Sequence, residues 1–229
     1  FGRIATQNAK NVILQKIREE ERKSLYKDWY AKEKDIVPGV VQRYLGRNIS
    51  VNLGKADAIL NESEQVKGEI FQPTERIKVY VLEVKDTPKG PRISVSRTHP
   101  DLVKRLFELE VAEVKDGTVE IKSIAREPGA RSKVAVASRE DNLDPVGACV
   151  GPKGSRVRMV VEELRNERVD VIQWSPDPAV YVANALSPAK VSHVSIDEDN
   201  NYATVIVPDD QLSLAIGKGG LNIKLASML

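Results

Sequence analysis

With 229 residues, 41% of them hydrophobic and 30% charged, the chain has the length of two or three small folded domains and the composition of a soluble globular protein. Its net charge of +2 excludes polyanion binding through overall charge, so any nucleic-acid site must come from local clusters of Lys and Arg. A single cysteine, Cys149, excludes an internal disulfide and a zinc site of paired cysteines, which suits a reducing cytoplasm. No run of about 18 apolar residues marks a membrane span, and no signal-peptide pattern opens the chain.

The chain begins at Phe1 without Met and stops at Leu229 inside a helical pattern, so both ends read as cut from something longer. From Gln7 to Lys34 there is neither Gly nor Pro, and Leu14, Ile17, Leu25 and Trp29 recur at roughly helical spacing, with Ile13, Tyr26 and Tyr30 beside them. This predicts one long amphipathic helix, either a solvated connector or half of a partner-binding domain. Next comes a β-rich stretch, 36–98. Ile36 to Leu45 is interrupted by Pro38 and Gly39. Ile49, Val51 and Leu53, then Ala56, Ala58 and Leu60, then Ile77, Val79 and Val81, then Ile93 and Val95 alternate with polar residues. Five short strands in about 60 residues predict a small closed barrel of the OB type.

Pro100 opens a helix whose Leu102, Val103, Leu106 and Phe107 form one face. Strands are predicted over Val119 to Ile124 and Lys133 to Ala137, joined by Pro128-Gly129-Ala130-Arg131. An apolar run, Val146 to Val150, leads through a Gly-rich break into a helix from Ser155 to about Leu164. Val169 to Trp174 reads as a strand and the residues after Pro178, through Leu186, as a short helix. Val191 to Ile196 and Tyr202 to Val207 repeat the strand pair around an acidic turn. Leu212 to Ile216, a second Gly-rich break and a helix from Leu221 follow. This second copy has no counterpart of the strand Val169 to Trp174 before the chain stops.

The internal repeat carries the chemistry. Val150-Gly151-Pro152-Lys153-Gly154-Ser155-Arg156-Val157 and Ile216-Gly217-Lys218-Gly219-Gly220-Leu221-Asn222-Ile223 share the form aliphatic-Gly-x-x-Gly-x-x-aliphatic. Glycines without a Cβ let the backbone turn sharply and let a phosphate chain come close. Each loop feeds a helix N-terminus, where free N–H groups and the positive end of the helix dipole favour phosphate. Lys153 and Arg156 add charge at the first loop, with Arg158 nearby. Lys218 does so at the second, with Asn222 offering hydrogen bonds and Lys224 a turn further on. A GXXG loop that clamps a few single-stranded nucleotides is the KH mode of RNA binding. A lone GXXG often only joins two helices; two copies with matching flanks and an upstream strand pair favour two tandem type II KH domains.

Other Gly-rich readings fail. A P-loop needs Ser or Thr after Gly-Lys, and Gly219 follows Lys218; a dinucleotide fingerprint needs glycine at position 222, where Asn222 stands. A second RNA surface is predicted on the barrel, where Arg76, Lys78 and Tyr80 share one side of a strand and Arg43, Tyr44 and Arg47 cluster nearby. An ordinary polar outer face is the alternative there. No catalytic constellation is visible. His99 reads as a helix-entry residue, His193 as a strand residue, Cys149 as a small buried residue, and Glu108, Glu110, Glu113 and Asp116 as a solvated face.

The order helix, barrel, KH, KH resembles the NusA family of bacterial transcription elongation, termination and antitermination factors over essentially the whole chain. Phe1-Gly2-Arg3-Ile4-Ala5 with Ala9-Lys10 is similar to the last helix of that family's polymerase-binding N-terminal domain. Val95-Ser96-Arg97-Thr98-His99-Pro100 is similar to its junction between barrel and first KH. Ala125-Arg126-Glu127-Pro128-Gly129, Asp144 to Gly151 and Gln211 to Lys218 are close to family signatures. The resemblance implies an α+β multidomain chain divided at 1–34 (end of the polymerase-binding domain), 35–98 (barrel), 99–189 (first KH) and 190–229 (second KH). It implies binding of nascent single-stranded RNA through barrel and KH surfaces. It further implies contact with RNA polymerase through the mostly absent N-terminal domain, and other antitermination factors as partners. The expected protein is a cytoplasmic monomer that modulates pausing, termination and antitermination, with no enzyme activity, cofactor, metal or membrane contact. Two rivals are a fragment of an RNA-processing enzyme, which would need a catalytic domain, and a ribosome-associated KH protein, which would carry a larger basic excess.

Overall fold

The computed structural model describes the backbone of residues 2–229 and the side chains of residues 4–229. The resemblance drawn from Phe1 and the side chain of Arg3 lies outside them. Two compact units emerge, one of residues 1–65 and 70–99, the other of residues 66–69 and 100–229.

The first unit opens with α1, Gly2–Tyr30. Only its C-terminal turns are packed. Trp29 is buried in the barrel core with Leu25 and Tyr26 against it, whereas Ile13, Leu14 and Ile17 are about half exposed. The predicted single apolar face is therefore buried only near its end, because the barrel reaches no further along the helix. Arg22 anchors that end by donating to Asp86 Oδ1 and the Thr87 carbonyl, both at 2.9 Å.

Five strands follow: β1 (Ile36–Leu45), β2 (Asn48–Asn52), β3 (Asp57–Leu60), β4 (Arg76–Thr87) and β5 (Gly90–Ser96). They close in the order β1-β2-β3-β5-β4, antiparallel except for the parallel pair β3 and β5. Alternating residues such as Val41, Ile49, Val51, Leu60, Ile77, Val79, Ile93 and Val95 fill the interior. Pro38 and Gly39, read as an interruption, lie inside β1. That strand pairs with β4 over its first half and with β2 from Val40 onward, so it must turn across the barrel between them. Gly39 permits this, since a Cβ there would sit 2.5 Å from Val51 Cγ1.

The second unit begins with α2 (Pro100–Glu110) and α3 (Ala112–Lys115), then β6 (Val119–Glu127), β7 (Arg131–Ser138), α4 (Pro145–Val150), α5 (Ser155–Glu163) and β8 (Arg168–Gln173). Leu102, Val103, Leu106 and Phe107 are buried, as their spacing predicts. The strands form one sheet, β6-β7-β8, with β8 parallel to β7. With the single turn of α3 counted as an extension of α2, the order α-β-β-α-α-β is that of a type II KH domain. A second, shorter set comprises α6 (Pro178–Ala185), β9 (His193–Asp197), β10 (Tyr202–Ile206), α7 (Leu212–Ile216) and α8 (Leu221–Met228), its two strands paired antiparallel.

The two sets share a core. Ala135, Ile172 and Ala185 are buried together, and Trp174, Tyr181, Ala226 and Leu229 pack around them, so α6 and α8 lie on residues of β7 and β8. Buried charge organises the turn side of the sheet. Glu167 is fully buried and accepts from Arg126 Nε at 3.1 Å, Ser132 Oγ at 2.8 Å and the Gly129 amide at 2.7 Å.

Removing one partner of a buried ion pair strands the other charge, which costs about 3–5 kcal/mol. Glu167→Ala is expected to destabilise the chain by about that much in urea unfolding. Replacing Arg126 and Glu167 together with apolar residues of similar volume is expected to cost clearly less.

Candidate nucleic-acid interface

Both GXXG segments adopt one backbone path. After α4, Gly151 has φ 75°, ψ 171°, Lys153 φ 53°, ψ 30° and Gly154 φ 75°, ψ 18°. After α7, Gly217 has φ 79°, ψ 169°, Gly219 φ 65°, ψ 21° and Gly220 φ 74°, ψ 12°. Three of the four loop residues thus have positive φ, where a Cβ is disfavoured. The first glycine is required twice over. A Cβ on Gly151 would lie 2.7 Å from Arg156 Cγ, and one on Gly217 would lie 2.7 Å from the Asn222 amide nitrogen. Gly219 and Gly220 meet nothing within 4 Å, so that side of the second loop is open to a ligand. Lys153 is the one non-glycine in the left-handed region of either loop.

Pro152, Lys153 and Ser155 are exposed at the first loop, and Lys218 and Gly219 at the second. Arg158, also exposed, donates from α5 to the Lys153 carbonyl at 3.2 Å and keeps its charge over the loop.

Several predicted residues do other work. Arg156 turns away from the loop and donates to Glu113 Oε2 and the Ala148 carbonyl, both at 2.8 Å, so its charge is already paired. Glu113 is correspondingly a half-buried partner rather than part of a solvated face. Asn222 is fully buried, and its Nδ2 donates to the carbonyls of Leu186, Leu214 and Ala215 at 2.9–3.1 Å. It holds the protein together and offers that amide to no ligand. Lys224 is exposed and 3.4 Å from Glu127 Oε2.

On the barrel, Arg43 and Arg76 are exposed and Lys78 is half-buried. Tyr80 is buried and stacks on His99 with ring centroids 4.5 Å apart, so it provides no aromatic platform. Alternation had placed it with Arg76 and Lys78, but His99 covers it. Tyr44 keeps a half-exposed ring while its hydroxyl accepts from the Phe71 amide at 3.1 Å. Cys149 is fully buried, and burial pushes its thiol up to about 12, so it is no nucleophile. No group of His, Cys, Asp or Glu among the described residues is arranged to hold a metal ion. Among the described residues no helix is long and apolar enough to cross a membrane.

The structure adds a cleft that the sequence did not reveal. A cavity of about 520 Å³ runs between Val146 on α4 and Val171 and Gln173 on β8, and continues past Asn184 to Pro188 and Lys190. Only the sheet order brings β8 opposite the helix that carries the loop.

Comparison with known proteins agrees with this geometry. The NusA-like first KH domain matches residues 97–174, the NusA-like second KH domain 178–229, and the NusA N-terminal domain 1–23. The whole chain aligns with transcription termination/antitermination proteins NusA. It is 56% identical to that of Halalkalibacterium halodurans, 55% to that of Bacillus subtilis and 47% to that of Mycobacterium tuberculosis. The chain belongs to the NusA family. It spans 60%, 62% and 69% of those three relatives' lengths. Both GXXG loops fall inside the segments matched to the NusA-like KH domains, and α1 begins inside the segment matched to the NusA N-terminal domain.

Alanine substitutions separate the two kinds of loop glycine. Gly219→Ala meets a left-handed penalty of about 1–2 kcal/mol, whereas Gly217, at φ 79° and ψ 169°, lies where essentially only glycine is found, and Gly217→Ala also drives a methyl into the α8 backbone. Chemical denaturation is expected to show the larger loss for Gly217→Ala, and likewise for Gly151→Ala against Gly154→Ala.

Proposed function

We propose that this chain is the RNA-holding part of a NusA-type transcription factor. It binds nascent single-stranded RNA through both GXXG loops and the barrel, beside an RNA polymerase contacted through the N-terminal region. One observation carries the reading: two loops of superimposable backbone conformation, each leading into a helix and each bearing an exposed lysine, lie within one compact unit. The proposed RNA contacts are Gly151, Pro152, Lys153, Gly154 and Ser155 at the first loop, with Arg158 above it. At the second they are Gly217, Lys218, Gly219 and Gly220. Arg43, Arg76, Lys78 and the Tyr44 ring form the barrel contact. Arg156 and Asn222 act by shaping the loops, and Lys224 supplies peripheral charge. The curated relatives' names, which specify termination and antitermination, support a role in those two processes; a role in pausing, and other antitermination factors as partners, belong to the same proposal. Such a role needs positioning of the RNA rather than chemistry on it.

Each loop engages roughly four nucleotides. With both loops in one unit, the second contact is intramolecular at an effective concentration of up to millimolar order. A single-stranded RNA of about ten nucleotides is therefore expected to bind at least tenfold more tightly than one of about four, measured by fluorescence anisotropy. Affinity should fall with log salt at a slope of about −0.7 per phosphate engaged. Changing Pro152 and Lys153 both to Asp is expected to cut affinity tenfold or more while moving unfolding stability by only about 0.5 kcal/mol. Unchanged affinity in that variant, or binding insensitive to salt, would refute the reading.

A further inference from the structure

Beside the second loop lies a cavity of about 390 Å³ that belongs to neither KH set alone. Its walls include Arg131 and Arg168, from the starts of β7 and β8, and Gly217 and Lys218 of the second loop, with Leu214 and Pro188 as apolar surface. Pro188, between α6 and β9, also lines the cleft between α4 and β8.

The charge here is unbalanced. Asp170 is the shared carboxylate. Arg131 Nε donates to it at 2.7 Å, Lys133 Nζ at 3.1 Å, and Arg168 Nε stands 3.4 Å away. Lys218 brings a fourth cation, and the nearby Glu167 is already matched by Arg126. Three positive groups thus share one carboxylate, with the fourth on the cavity wall. Burial pulls the Lys133 ammonium down to about 8; Asp170 pulls against it, and Arg131 and Arg168 add smaller pulls in the same direction as burial. Arg131 and Lys133 are buried and held in place, whereas the Arg168 side chain is 55% exposed and Lys218 is exposed. Two exposed cations at the rim of an apolar-lined cavity, backed by two buried ones, suit a phosphodiester with its sugar against Leu214 and Pro188.

We propose that this cavity is a third RNA contact, in which Arg168 and Lys218 clamp one phosphate of the strand as it passes between the two GXXG loops. This rests on the RNA-binding reading above and deepens it. The crossing is then a specific site rather than a slack tether, and the spacing between the two loop-bound segments is set by the protein.

The test uses the intact chain and a ten-nucleotide single-stranded RNA, with one neutral methylphosphonate linkage moved along the strand. Among the sensitive linkages of the unaltered protein, one central linkage is expected to lose about fivefold or more in affinity. In Arg168→Gln the unmodified RNA should bind about fivefold more weakly, with a salt slope shallower by about 0.7. That same central linkage should then lose nothing further, while linkages at the two loops keep their sensitivity, the signature of a coupled pair. Arg168→Lys should retain most of the affinity. Should Arg168→Gln prove unstable, Lys218→Gln should abolish the sensitivity of the central linkage together with that at the second loop, while linkages at the first loop keep theirs. The proposal is overturned if Arg168→Gln binds within twofold of the unaltered protein, or if every linkage responds in it as before. If the unaltered protein binds no RNA at all, the broader reading fails with it, so the two failures are distinguishable.

Discussion

The carbonyls of Leu186 and Ser187, adjacent in the segment between α6 and β9, are each held by a buried side chain from a different set. Asn222 of α8 donates to Leu186 at 3.1 Å, and Lys133 of β7 donates to Ser187 at 2.7 Å. Both side chains are fully buried, so neither bond competes with water and losing either would leave polar groups unpaired. Around this point α8 and α6 pack on residues of β7 and β8 through Ala135, Ile172 and Ala185. The orientation of one GXXG loop with respect to the other follows from this arrangement. So does the cavity at the second loop.

Within each loop the chain solves one problem in two ways. A sharp junction between helices needs left-handed backbone at three positions, and the second loop meets it with glycine at all three. The first loop puts Lys153 at the middle of these positions and accepts a steric cost of about 1–2 kcal/mol for a charge at the loop's apex. Arg158 bonds the Lys153 carbonyl, and Arg156 is tied to Glu113 and Ala148. Charge that looks interchangeable along the chain is therefore divided between groups that face outward and groups that brace the loop.

The barrel applies the same division. Arg97, fully buried, donates to the Lys78 carbonyl at 2.9 Å and lies over Phe71, while Tyr80 is covered by His99. Basic and aromatic residues on one strand thus split into structural and exposed groups. What stays outward at Arg43, Tyr44, Arg76 and Lys78 is less aromatic than the alternation pattern alone implies.

Local sequence pattern determined the elements and the loops themselves. Period-two alternation marked the barrel strands, 3.6-residue spacing marked α2, and the repeated Gly-x-x-Gly marked both loops, because backbone geometry translates directly into residue periodicity and glycine placement. Tertiary structure alone decided which side chains reach solvent. Trp29 is buried and Leu14 exposed on one helix because the barrel meets only its end. Asn222 is buried because α8 lands on Leu186, and Tyr80 because His99 lies over it. Arg131, Lys133, Arg168 and Asp170 carry no recognisable spacing, since parallel pairing of β7 with β8 joins residues far apart in the chain. Which charges are spent on one another and which remain for a ligand is a property of non-local packing, and no local pattern in the chain encodes it.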